Sequence, residues 1–162
     1  MGDVLATITV WFDRVVGRPS YRVHCFLYRW TGGVIGHRTM AGPILLLTTV
    51  GRRTGQQRTH PLLYMPDGSN FVVVGSNGGR PQPPAWILNL LATPTVEVQV
   101  GRRKYRADAH VLTGDAKADM WPRLIGHYKG WGSYQELTDR ELKVVLLVPR
   151  PEPRLVTRGD PG

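Results

Sequence analysis

Apolar and polar positions change their rhythm along this chain. In the first thirty residues Val4, Ile8, Trp11 and Val15 recur at i, i+4, i+7 and i+11, which lines them on one helix face, and GRPS at 17–20 breaks the pattern. A second helical piece carries Phe26, Leu27 and Trp30 up to Gly32 and Gly33. From residue 43 the apolar residues come instead in short runs, PILLLTTV, RTHPLLYM and NFVVVGS, separated by GRRTGQQ and PDGS. Apolar and β-branched runs between turn compositions predict an antiparallel meander. PAWILNLLAT predicts a short helix, and TVEVQVG and KYRADAHVL, alternating about GRR, a second hairpin. DAKADMWPRLIGHY reads as a helix begun by Thr113 or Asp115, in which Pro122 must form a kink or open a new turn. ELKVVLLVP gives a last strand.

About six strands with three or four helices between the hairpins imply an α+β fold, mainly β, in the form of a small and partly open barrel. The expected organisation is an N-terminal amphipathic helical segment over 1–33, a barrel domain over 34–149, and a loose tail rich in Pro and Arg over 150–162. There is no internal repeat, no Walker loop, no G-x-G-x-x-G after a strand and no H-E-x-x-H.

The turn between the first two strands, GRRTGQQR, puts Arg52, Arg53 and Arg58 at one point, with Gly51 and Gly55 to supply positive φ. By itself it is equally a solvated basic turn. The wider composition favours an anionic partner: 21 Lys and Arg oppose 12 Asp and Glu, for a formal net charge of +9. Seventeen of the cations are arginines, which suit planar anions better than lysines do. Nucleic acid, a membrane surface and a phosphorylated or carboxylated small molecule all satisfy that charge. The single cysteine, Cys25, excludes an intrachain disulfide framework and a multi-cysteine zinc site, and fits a reducing, cytoplasmic compartment. No apolar run reaches a membrane span and no basic region precedes the first apolar stretch, so neither a span nor a secretory signal is expected. With Arg14, Arg18, Arg22 and Arg29 nearby, the aromatic N-terminal segment suits either packing on the domain or the inner face of the cell membrane.

A barrel brings neighbouring connections to one rim. The arginine turn and GSNGG at 75–79, whose small residues expose backbone N–H groups, can therefore surround a phosphate. Trp86 offers a flat wall beside them, and Tyr128, Trp131 and Tyr134, three residues apart, offer more aromatic surface. A planar aromatic ligand with an anionic tail uses both kinds of group, although core packing is the plainer role for the three downstream aromatics. The five histidines, His24, His37, His60, His110 and His127, show no ligand spacing, so no metal site is expected.

From Gly42 to Pro149 the ordered set G-R-R-T-G, P-L-L-Y, S-N-G-G and P-A-W-I-L-N-L, followed by the Tyr128, Trp131 and Tyr134 segment, resembles the deazaflavin-dependent oxidoreductase (nitroreductase) family of actinobacteria. The resemblance implies a split β-barrel of the flavin-reductase and pyridoxamine-phosphate-oxidase kind, binding coenzyme F420, an 8-hydroxy-5-deazaflavin. It implies that Arg52, Arg53 and Arg58 hold the phosphodiester and oligoglutamyl tail, and that Pro61, Ser76, Asn77, Gly78, Gly79, Ala85 and Trp86 form the cofactor groove. Tyr128, Trp131 and Tyr134 would then lie over the ring as the substrate wall. One departure is Asn77, where many relatives carry Lys in S-K-G-G; Arg80 or Arg53 can compensate. The ring supplies the hydride, so the catalytic candidates are hydroxyl donors to a developing oxyanion: Tyr134, Tyr128 and Ser76. The expected reaction is hydride transfer to a quinone of the menaquinone kind or to a nitroaromatic. The alternative is a split-barrel protein holding lipid, flavin mononucleotide or haem in the same groove. Single-stranded nucleic acid fits poorly, because the arginines lie in turns and are not interleaved with aromatics on strands. A homodimer is also expected from the resemblance.

Overall fold

The computed structural model describes residues 19–31, 38–39 and 41–151. The face of Val4, Ile8, Trp11 and Val15, and the tail beyond residue 151, lie outside the described residues. In order, the elements are α1 (Pro19–Trp30), β1 (Arg38–Thr39), β2 (Gly42–Val50), β3 (Gln57–Asp67) and β4 (Asn70–Val74). A 3-10 turn (Asn77–Gly79) then leads to α2 (Ala85–Ala92), β5 (Thr95–Val100), β6 (Arg103–Leu112), α3 (Gly114–His127), α4 (Gly130–Glu136) and β7 (Val144–Pro149).

All the strand pairings are antiparallel, in the order β1-β2-β3-β4-β7-β6-β5, and a further pairing of β2 with β5 closes β2 to β7 into a six-stranded barrel. The mainly β barrel with helices between hairpins is therefore present as expected. Its interior holds Leu45, Leu47, Val73, Val96, Val98, Val145 and Leu147, and α2 plugs it with Trp86, Ile87 and Leu90.

Two further apolar layers explain why some strands read as unbroken apolar runs. The outward residues of β2, Ile44 and Leu46, are covered by Tyr28 of α1. The outward residues of β4 and β7, Val72, Val74 and Val144, are covered by Met120, Leu124 and Trp131 of α3 and α4. A strand buried on both faces has no reason to alternate, whereas β5 and β6 alternate because their outer faces are mostly open, Gln99 being buried on β5. Tyr28 fixes α1 in place: it is fully buried, its hydroxyl donates to the Ile44 carbonyl at 3.0 Å and accepts from the Gly101 amide at 2.9 Å. Helix α3 runs through Pro122 as one element, so the proline opens no separate helix, and it withholds one N–H from the ladder.

Candidate active site

The turn at 51–56 is tied by the Gly51 amide donating to the Gln56 carbonyl at 2.8 Å and the Gly55 amide donating to the Gly51 carbonyl at 2.7 Å. Gly55 has φ +68, as the turn requires. Gly51 does not adopt positive φ. Its need is space, since a Cβ there would lie 3.0 Å from Thr54 Oγ1 and 3.1 Å from the Gln56 carbonyl oxygen. Arg52, Arg53 and Arg58 are all exposed, and Arg58 Nη2 donates to Gln56 Oε1 at 2.9 Å.

The turn is anchored from below by a residue to which the sequence reading gave no role. Asn89 of α2 is buried, accepts from the Arg52 amide at 3.2 Å and donates through Nδ2 to Thr49 Oγ1 at 3.2 Å. The available signal was one polar side chain in the apolar helix AWILNLLA, because a buried amide must find partners.

Strand directions bring the end of β4 to the same rim, and Gly75 there abuts α2 so closely that a Cβ would meet Ile87 Cγ1 at 2.7 Å. The chain then makes an unusual turn. Ser76 is right-handed (φ −71, ψ −38), and Asn77, Gly78 and Gly79 follow with φ of 49, 62 and 73. A right-handed residue followed by left-handed ones aims successive N–H groups to one side, forming a concavity that suits an anion. The hydrogen bonds closing the turn come from the amides of Gly79 to Ser76 at 3.0 Å and Arg80 to Asn77 at 3.3 Å, so those of Asn77 and Gly78 are not used within it. Asn77 suits the left-handed region better than Lys would, and its Nδ2 donates to the Gln82 carbonyl at 2.9 Å. At this position the chain has a brace in place of a cation.

A second residue passed over by the sequence reading stands behind this turn. The Arg140 guanidinium donates to the carbonyls of Gly75 (3.1 Å), Ser76 (2.6 Å) and Arg80 (2.9 Å). Desolvation lowers its pKa from the ordinary arginine value. Arginine in a loop rarely announces a backbone partner, and nothing in TDRELK marks it out.

Beside the turn the barrel wall opens. β3 pairs with β2 over residues 57–63 but with β4 only over 64–67, so along 57–63 it has a strand neighbour on one side alone. Pro61 is tolerated there, where a missing N–H costs no second ladder. His60, half-buried on the same stretch, has its pKa lowered by burial first and by Arg58 second. The left-handed turn itself packs on the end of α4: a Cβ on Gly79 would lie 2.8 Å from Leu137 Cβ and 3.0 Å from the Tyr134 carbonyl oxygen.

The aromatic residues divide. Trp86 and Trp131 are each 3% exposed, the first in the barrel interior and the second in the layer under α3 and α4, so neither is the open wall expected from the sequence. Tryptophan's large apolar area found a core on each side of the wall. Tyr128 and Tyr134 are half-buried, and Tyr128 meets Trp131 edge-on with ring centroids 5.5 Å apart. Ala85 is exposed at the start of α2. No group of three or more His, Cys, Asp or Glu that could hold a metal occurs among the described residues. Two open concavities, of about 580 and 290 Å³, lie at the other rim around Arg103, Lys104 and Arg150, and around Trp30 and Arg102; neither touches the notch.

A six-stranded antiparallel barrel with an amide concavity and an arginine-bearing turn at one rim defines a split-barrel protein. Within it, residues 20–149 match the family model of the F420H(2)-dependent quinone reductases, and the chain belongs to that family. It is similar to an F420H(2)-dependent quinone reductase of Mycobacterium tuberculosis, with 39% identity over 88% of this chain and 99% of that one. Among solved structures it resembles an F420-H2 dependent reductase at 34% identity and a TM-score of 0.60, covering 65% of this chain and 93% of the other. It also resembles a domain-swapped dimer at 31% identity and a TM-score of 0.63, covering 80% and 99%. The split barrel and the deazaflavin-dependent family expected from the sequence are both borne out.

Proposed function

We propose that this protein is an oxidoreductase that reduces a quinone with hydride from reduced coenzyme F420. The observation that carries the proposal is the meeting, at one rim, of three exposed arginines, the amide concavity at Ser76–Asn77 and the notch along 57–63. These residues fit the coenzyme: an anionic side chain requires donors, and a flat ring requires a slot.

Arg52, Arg53 and Arg58 would hold the anionic tail, the amides of Ser76, Asn77 and Gly78 the phosphodiester, and Pro61, Gly79 and the backbone near Ala85 the edge of the ring. Trp86 acts from beneath, by filling the barrel under α2. When bound, the reduced deazaflavin supplies the hydride. A quinone that accepts hydride becomes a hydroquinone anion, which one proton completes to the quinol. Donors near the developing oxyanion lower that barrier, and Tyr134, Tyr128 and Ser76 would be the hydroxyls that serve. Trp131 serves the acceptor side by holding Tyr128 edge-on. A compact nitroaromatic is the second acceptor class to test.

No described helix is long and apolar enough to cross a membrane. Peripheral contact of residues 1–33 with the inner face of the membrane belongs to the same reading, supported by the exposed Val23, Phe26 and Trp30 of α1. A relative that forms a domain-swapped dimer supports pairing of two copies. The decisive experiment is fluorescence titration of the purified protein with coenzyme F420 and with flavin mononucleotide. Tighter binding of F420, with F420H2-dependent loss of quinone absorbance, is expected; equal or tighter binding of flavin mononucleotide would remove the claim.

A further inference from the structure

The sequence TDRELK carries an arginine that no part of the proposed chemistry has yet used. Arg140 has five N–H donors and no acceptor, and it directs them at backbone rather than at a carboxylate. Among the described residues no acidic side chain pairs with it, so its charge is not neutralised locally.

The three carbonyls it holds, those of Gly75, Ser76 and Arg80, bracket the left-handed turn. A trans peptide is planar, with its N–H opposed to its C=O. Drawing the carbonyls of Gly75 and Ser76 onto one guanidinium therefore turns the amides of Ser76 and Asn77 the opposite way. The loop that carries Arg140 is itself fixed. Gln135 donates to the carbonyls of Thr138 (3.3 Å) and Arg140 (2.9 Å) and accepts from the Leu142 amide at 2.9 Å. Gln135 neighbours Tyr134 on α4, which packs on Gly79, so the brace and α4 hold the turn from the same side.

We propose that Arg140 is a positioning residue that aims the Ser76 and Asn77 amides at the coenzyme's phosphodiester and adds positive potential behind them. It touches neither coenzyme nor quinone. This inference rests on the reading of the notch as the deazaflavin site.

The test compares two ligands by fluorescence titration: coenzyme F420, and the deazariboflavin chromophore that lacks the phosphate. Losing charge-assisted aim should weaken F420 at least about tenfold in Arg140→Ala and shift the phosphate-free chromophore by about twofold or less. Arg140→Lys, which keeps the charge and loses the fork, should lie between parent and Ala. Millimolar guanidinium added to Arg140→Ala should recover F420 binding and leave the phosphate-free ligand unchanged. Equal weakening of both ligands, or parental affinity for F420 in both variants, would overturn the inference. If Arg140→Ala does not fold, Arg140→Lys with the same pair of ligands decides. If the parent binds neither ligand, the deazaflavin reading itself fails and takes this inference with it.

Discussion

At the scale of single residues, the site depends on groups whose partners are backbone. Asn89 is the only polar side chain turned inward from α2 beside Trp86, Ile87 and Leu90, and its two hydrogen bonds place Arg52 relative to the barrel. Replacing it with Ala strands the Arg52 amide and the Thr49 hydroxyl, and is expected to lower stability by about 1–3 kcal/mol, read from urea unfolding. Arg53 and Arg58 are different in kind. Both are exposed, so Arg53→Ala and Arg58→Ala should leave the unfolding midpoint unchanged while each costs about 1.5–3 kcal/mol of F420 affinity. Parental affinity in both variants would make the turn merely a solvated basic face. His60 adds a pH dependence. Burial and Arg58 lower its folded pKa below the unfolded value, so its contribution is present above about pH 6.5 and is lost as pH falls through the folded value. Urea midpoints should therefore drop between about pH 7.5 and about pH 5.5, and drop less in His60→Gln.

At the scale of elements, the strands were legible and the aromatic roles were not. PILLL, FVVV and VVLL read as continuous runs because α1 or the α3–α4 pair covers their outer faces, and TVEVQV alternates because its outward positions are polar, with Gln99 alone among them buried. Spacing put Tyr128, Trp131 and Tyr134 together, yet a three-residue period reports which side chains share a face and not what that face meets. The structure divides them: Trp131 is core, and Tyr128 and Tyr134 stay half-buried. The arginine turn and S-N-G-G were visible as composition. Asn89 and Arg140 were hidden because their partners are backbone groups distant in sequence, 37 residues away for Arg52 and 60 or more for the carbonyls that Arg140 holds. For α4 the expected outcome concerns Tyr134. Tyr134→Phe should lower kcat with quinone more than it raises the Kd for F420, because the hydroxyl's contribution arises mainly as charge develops on the acceptor. Unchanged turnover would retire the donor role and leave Tyr134 as packing against the turn.

At the scale of the whole molecule, charge and apolar surface are distributed unevenly. The chain carries +9, and the three ion pairs among the described residues, Lys117 with Glu141, Arg123 with Asp67 and Arg150 with Asp108, neutralise few of its cations. α1 turns Tyr28 inward and leaves Val23, Phe26 and Trp30 exposed by 57%, 65% and 77%. They fall at i, i+3 and i+7, one stripe on the side away from the barrel, with Arg29 beside them. An exposed apolar stripe on a chain of net positive charge suits the headgroup region of an anionic bilayer, where a membrane-dissolved quinone would be met. Residues 1–18 precede this helix with their own apolar spacing, so the two segments are expected to act together. Deleting 1–18 should slow reduction of menaquinone in anionic liposomes while sparing a water-soluble quinone analogue, and Phe26→Ser with Trp30→Ser in the full chain should do the same. Cosedimentation with anionic and zwitterionic vesicles should fall in parallel with the liposome rate, and more steeply as salt is raised, because counter-charge attraction is screened. Equal loss on both quinones after truncation would make the N-terminal segment structural. Unchanged cosedimentation in the double variant would assign the stripe to contact with another protein surface.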